Sequence, residues 1–230
     1  MMLHGYVPSL LSGTLLTLAL ALLSLAIAVV LGLAAASARL SRLRWLQGGA
    51  LAYTTLIRGV PDLVLMLLVF FGGQLAVNAL AQQLGFADYI DVDPFVAGVL
   101  TIGFVFGAYL GETFRGAFLA LAPGQREAGL ACGMSRWQVL RRLLLPQMLR
   151  YALPGLSNNW LVLVKSTAIV SVIGLNDMML RATQAAGATR EPFVFYASAA
   201  LIYLAITSVS ELGFKALARR LAVGVRTGAL

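Results

Sequence analysis

Five long apolar runs alternate with polar segments along the chain, covering roughly residues 10–36, 63–80, 94–112, 154–175 and 192–210. About 20 apolar residues in helical form cross the hydrocarbon core of a bilayer, and each run reaches or approaches that length. The pattern predicts an all-α integral membrane protein of about five transmembrane helices in one domain over residues 1–230. Pro94, Pro154 and Pro192 each stand where a span would begin, and proline is favourable in a first helical turn. Gly59 and Pro61 precede the second span, and Asp62 suits the positive end of its helix. Residues 45–58 are mixed, with Trp45 and Tyr53 as interfacial aromatics and Arg58 at a membrane border. Residues 176–191 read as a polar connection.

Composition agrees with this pattern. The chain is 60% hydrophobic and 11% charged, with a mean hydropathy of +0.88, whereas a soluble domain carries about a quarter charged residues. The net charge of +8 is unevenly placed. Fourteen of the 17 basic residues follow the first, third and fifth spans, and only Arg181 and Arg190 follow the others. Basic residues collect on the cytoplasmic side, so the N-terminus is expected in the periplasm and the C-terminus in the cytoplasm. That sidedness accounts for the basic excess and leaves no case for nucleic acid. The first run is too long for the apolar core of a signal peptide, and no basic residue precedes it, so it reads as a retained helix. One cysteine, Cys132, and one histidine, His4, allow neither an internal disulfide nor a Cys/His metal cluster. Cys132 reads as a small packing residue.

The longest polar segment, 113–153, is expected inside the cell and contains GQREAGLACGMSRWQVLRRLLLP at 124–146. Residues 125–132 suit a short helix that Gly133 ends with a positive φ. Ser135 suits the N-cap of a second helix over 135–145. A helix, a glycine break and a helix lying parallel to the membrane form either a docking element for a partner or an interfacial helix with its arginines on lipid phosphates.

The spacing within this segment resembles the cytoplasmic loop of ABC-importer permeases: Glu127-Ala128-Gly129, then Gly133, then Leu143, Leu145 and Pro146. Gly129 replaces an alanine of that pattern and Leu143 an isoleucine. IRGVPDLVLMLLVFFG (57–72), RYALPGLSNNW (150–160), VKSTAIVSVIGL (164–175) and the ending AVGVR extend the likeness to polar amino-acid importer permeases, in particular the Q-type subunits of histidine and lysine/arginine/ornithine importers. The resemblance implies a bacterial inner-membrane, multi-pass subunit forming half of a translocation pathway for basic amino acids. Its partners would be a homologous M-type permease, two ATPase subunits and a periplasmic amino-acid-binding protein. Residues 127–129, 133, 143, 145 and 146 would then couple to the ATPase, which would bind the ATP and magnesium. This chain itself has no cofactor and no G-x-x-x-x-G-K-[ST] loop: its two lysines, Lys165 and Lys215, follow Val and Phe. No nucleophile elbow, metal motif or carboxylate dyad appears. An ion-coupled secondary transporter, the competing class, would need an intramembrane carboxylate or histidine relay, for which the spans offer Glu112 and Glu211.

Within the spans, Gly103, Gly107 and Gly111 lie at i, i+4 and i+8 and predict close helix packing. Lys165 stands alone inside the fourth span, at a cost of about 2.5–3.5 kcal/mol on insertion scales, so protein or water must face it. Asn158, Lys165 and Ser166 share a helical face that can line a path for the substrate carboxylate, and Asn159 adjoins it. Glu112 either pairs with Arg115 or faces the cavity as an attractor of cationic side chains. Lys165 either meets substrate or pairs with Glu112 or with backbone carbonyls of a neighbouring element.

Overall fold

In the computed structural model, which describes residues 5–86 and 88–221, the chain is helical throughout its ordered elements. His4 and the AVGVR ending lie outside the described residues. Five helical stretches are long and apolar enough to span a membrane: Val7–Arg39, Asp62–Gln83, Pro94–Leu119, Arg136–Ile173 and Pro192–Leu221.

The centre of the bundle is the pairing of α1 (Val7–Arg39) with α4 (Pro94–Leu119). The two helices run parallel. Val99 lies beside Ser24, whose hydroxyl donates to the Val99 carbonyl at 3.4 Å, and Gly111 lies beside Ala35. Gly103 and Gly107 permit the approach, since a Cβ on either would fall 2.8 Å from the side chain of Ile27 or Leu31. The glycine face thus packs helix on helix, as the i, i+4, i+8 spacing implies. In α1, Leu20, Ala21, Ala28 and Ala36 are completely buried.

Between them lie α2 (Arg44–Gly59) and α3 (Asp62–Gln83). Residues 45–58 form a full helix against α4, not a loose connection. Thr54 is buried, and the Tyr53 hydroxyl donates to the Phe104 carbonyl at 2.5 Å, so Tyr53 ties α2 to α4. Trp45 is exposed. At the far end of α3, Gln74 and Asn78 hold the chain leading into α4: Asn78 Oδ1 accepts from the Ile90 N–H at 2.8 Å and Gln74 Oε1 from the Val92 N–H at 2.8 Å.

The helix that carries the fourth span begins much earlier than Pro154. After α5 (Pro123–Ala131), α6 (Arg136–Val139) passes through a π-helical turn, Leu140–Leu144, into α7 (Leu145–Ser166). Pro146 explains the turn. It has no N–H and its ring opposes the carbonyl four residues back, and an extra residue is taken up so that the Leu145 N–H reaches Leu140 O. Pro154 lies inside α7 and does not start it. The helix expected over 135–145 is therefore continuous with the helix of the fourth span, not a separate element. Thr113 of α4 lies beside Gly155, and Gly98 beside Val170, so α7 is antiparallel to α4. From Thr167 to Ile173 the chain tightens into a 3-10 helix.

The connection 176–191 contains α8 (Met178–Thr189), which packs between the start of α1 and α9 (Pro192–Leu221) in a second small core of Leu10, Met178, Ala182 and Phe195. Asp177 caps α8, accepting from the Leu180 N–H at 2.8 Å. Arg181 ties α8 to α1 by donating to Ser12 Oγ at 2.7 Å. Helices α3 and α9 leave most of their apolar side chains exposed, among them Leu75 and Val209, as faces meant for lipid or another chain.

Candidate functional site

Two interruptions of helix geometry meet inside the bundle. The first is the break between α2 and α3, where Val60 and Pro61 take extended dihedrals. The second is the change from α- to 3-10 helix after Ser166. Asp62 and Met66 from the first, Ser166 and Ile169 from the second, and Thr101, Ile102, Val105 and Phe106 of α4 line one small cavity. The depth follows from the packing register. Leu20, near the middle of α1, lies beside Gly98, and Thr101–Phe106 begins one turn further on. Helix breaks near mid-depth expose backbone dipoles where a polar solute passes.

Two charges stand at this level. Lys165, the neighbour of Ser166, is exposed and has no ion pair or hydrogen bond among the described residues. Asp62 is half-buried and likewise unpaired among them. Thr101 Oγ1, in the same cavity, is buried without a hydrogen-bond partner among the described residues. Asp62 stands in the first turn of α3, the helix-start position that its charge suits. It lines the same cavity as Ser166, a neighbour that the pattern of a single helix does not reveal. A lone acid next to a Gly/Pro break in an apolar run was the available signal.

The other pathway candidates divide. Asn158 is exposed on the same face of α7 as Lys165. Asn159 is a tie between helices, donating to Thr113 Oγ1 at 3.0 Å and the Gly155 carbonyl at 2.8 Å. Glu112 accepts from Arg115 Nε at 2.8 Å and faces Arg39 Nε at 3.7 Å. It does not pair with Lys165. Through the Thr113–Asn159 contact, Glu112 lies level with Asn159, six residues or roughly 9 Å along the helix from Lys165. Arg58 stacks over the Tyr109 ring at 5.4 Å.

The segment 123–146 is a second, separate site. Helix α5 ends at Gly133, whose φ of +78° closes a Schellman motif: the Met134 N–H reaches Gly129 O at 3.1 Å and the Gly133 N–H reaches Leu130 O at 3.0 Å. Ser135 and Gln138 form a reciprocal capping box at the start of α6. Gly129 is buried where α5 meets the π-helical turn: a Cβ there would sit 2.7 Å from Leu143 Cδ1 and 2.9 Å from Val139 Cγ2. The glycine that replaces alanine in the motif therefore lets α5 lie directly on Leu143. Glu127 and Ala128 are exposed, as are Leu145 and Pro146. Cys132 is exposed as well and not a packing residue.

Comparison with known proteins agrees with this architecture. The model of the family described as "Binding-protein-dependent transport system inner membrane component" matches residues 28–223. The histidine/lysine/arginine/ornithine transport system permease protein HisQ of Salmonella typhimurium is 51% identical over 226 residues, 98% of each chain. The arginine ABC transporter permease protein ArtQ of Haemophilus influenzae is 42% identical over 168 residues, 73% of this chain and 74% of that one. A solved structure of an amino acid ABC transporter with histidines superposes with a TM-score of 0.79 at 32% identity, covering 94% of this chain and 95% of that one. The parallel α1–α4 core, the five apolar helices and the glycine-broken segment before the fourth span are thus those of the binding-protein-dependent transport system inner membrane components, the family to which this chain belongs.

Proposed function

We propose that the chain is the Q-type permease subunit of an ATP-driven importer of basic amino acids, forming half of the translocation pathway with a homologous M-type permease. The observation that carries the reading is the pair of unpaired charges, Asp62 and Lys165, at the level where the two helix breaks meet. A basic amino acid presents a carboxylate and a cationic side chain. Lys165, with Asn158 on the same face, receives the carboxylate. Asp62, with Ser166 and Thr101, receives the cation. Each protein charge is costly in an apolar span while unpaired, and the substrate supplies the missing partner. The names of HisQ and ArtQ support the same substrate class.

Energy enters through residues 123–146. Two ATPase subunits, which hold the ATP and magnesium, dock on the surface bearing Glu127, Ala128 and Gly133. Because α6, the π turn and α7 are continuous, a displacement of α5 against Leu143 passes along one helix to Lys165 and Ser166. Closure of the ATPase dimer then turns the cavity outward to a periplasmic binding protein, and hydrolysis returns it. The N-terminus is periplasmic and the C-terminus cytoplasmic in this reading.

Proteoliposomes containing this chain, its M-type partner, the ATPase and the binding protein test it. Uptake of labelled arginine should require ATP inside the ATPase-facing compartment, and the isolated chain should hydrolyse none. Uptake driven by a proton or sodium gradient without ATP would overturn the reading.

A further inference from the structure

The C-terminal part of α9 continues well past its apolar run and lies antiparallel against the first half of α7. Between them is a groove of about 690 Å³, lined among others by Tyr151, Pro154, Phe214, Ala218 and Leu221. Its charged members are Arg150, Glu211 and Lys215. We infer that this groove binds an anionic phospholipid of the cytoplasmic leaflet, with the phosphate on Lys215 and acyl carbon against Phe214, Leu153 and Pro154.

The depth of the groove argues for a lipid. Glu211 is the first charged residue after the apolar stretch of α9 and marks the edge of the hydrocarbon. Lys215 lies one turn beyond it, about 6 Å along the helix axis, within the headgroup layer that adds roughly 5–7 Å to each side of the core. Tyr151, exposed on α7 at the groove, is the aromatic type that gathers at this depth.

Charge argues for an anionic one. Lys215 is held by Glu211 at 2.7 Å, yet its side chain is 62% exposed, so its other donors are open to a phosphate. One turn further, Arg219 and Arg220 are exposed without an ion pair among the described residues. Basic pockets between transmembrane helices on the cytoplasmic side hold acidic headgroups. The apolar floor favours a phospholipid over free phosphate.

The assignment of leaflet rests on the orientation proposed above. An impermeant thiol reagent against Cys132 in sealed vesicles checks that orientation separately. The test of the groove uses the assembled transporter in nanodiscs of phosphatidylcholine with a minor share of phosphatidylglycerol. Lipid retained after transfer to detergent is then measured by mass spectrometry. Wild-type complex should retain phosphatidylglycerol. Lys215→Gln should lower retention about fivefold, the effect of one basic residue at a charged surface. Ala218→Trp, which fills the groove without altering charge, should lower it at least as much, and excess inorganic phosphate should displace nothing. Leu212→Ala, on α9 outside the groove lining, should change nothing. Retention unchanged in both groove variants, equal retention of the two lipids, or crosslinking of Ala218→Cys to the partner permease, which would place protein in the groove, overturns the inference. Should Ala218→Trp fail to assemble, the Lys215→Gln comparison decides alone.

Discussion

Replacing Asp177 by Asn should make the protein more stable at neutral pH and change little at pH 4. Asp177 is 1% exposed at the junction of α1, the 3-10 segment, α8 and α9. One carboxylate oxygen caps α8, and Oδ2 has no hydrogen-bond partner among the described residues. Burial pushes the carboxyl up from 3.8 to about 6, against the pull of backbone N–H groups at the start of α8 and of Arg181. Two titratable groups face it: Arg181 on α8, a charge engaged with Ser9 and Ser12 of α1, and the neutral Tyr203 phenol on α9. Because the folded value lies above the unfolded one, the associated stability is full below pH 3.8 and is lost as pH rises through about 6. At 1.36 kcal/mol per unit, the ionised carboxylate costs at most about 3 kcal/mol at pH 7.5. Asn keeps the cap and removes the charge. Thermal unfolding of the detergent-solubilised complex from pH 4 to 8 should show wild type losing stability with rising pH across this window and Asp177→Asn staying flat. Parallel curves for the two proteins, or a less stable variant at pH 7.5, would refute the reasoning.

Gly129→Val must displace Leu143 or Val139, an overpacking worth about 1–3 kcal/mol. Membrane accumulation should persist while pull-down of the ATPase and uptake fall together, and normal uptake would remove the α5–α7 contact from the coupling path. Glu112→Gln leaves Arg39 and Arg115 facing each other across a partly exposed site. The loss should be about 1–2 kcal/mol, below the 3–5 kcal/mol of a fully buried pair, and should reduce uptake of arginine, lysine and histidine alike. A selective loss for the cationic substrates would instead make Glu112 a substrate contact. Cys132, exposed beside α5, should react with an impermeant maleimide in inside-out vesicles stripped of ATPase and remain unlabelled in right-side-out ones. The reverse would invert the topology.

Much of this architecture is legible in the order of residues. The five apolar runs, the glycine face of α4, the positive φ at Gly133 and the Ser135 cap all follow from local chemistry that tertiary packing leaves intact. Prolines misled the boundaries. Pro154 reads as a helix start, yet it lies inside α7, and Pro146, in the first turn of α7, follows a π turn that keeps the helix continuous with α6. Helices α2 and α8 are hard to see because their amphipathic faces meet α4, α1 and α9 rather than water, which blurs the polar–apolar contrast. The surroundings of Asp62 are hidden for a related reason. A charge next to Gly59 and Pro61 looks like the edge of a span, and only the packing of α3 against α4 sets it at the level of Ser166. Glu112 and Lys165 were both visible, but their separation along the bundle depends on the antiparallel register of α4 and α7, which no single-helix pattern contains.

The central claim is that substrate is held between Asp62 and Lys165 at the junction of the two helix breaks. Equilibrium binding of labelled arginine to the assembled permease complex, without nucleotide or binding protein, tests it most directly. Lys165→Gln and Asp62→Asn should each weaken binding by about tenfold or more, equivalent to about 1.4 kcal/mol, while the complex still assembles and its basal ATPase rate is retained. Wild-type affinity in both variants would contradict the account and place the substrate elsewhere.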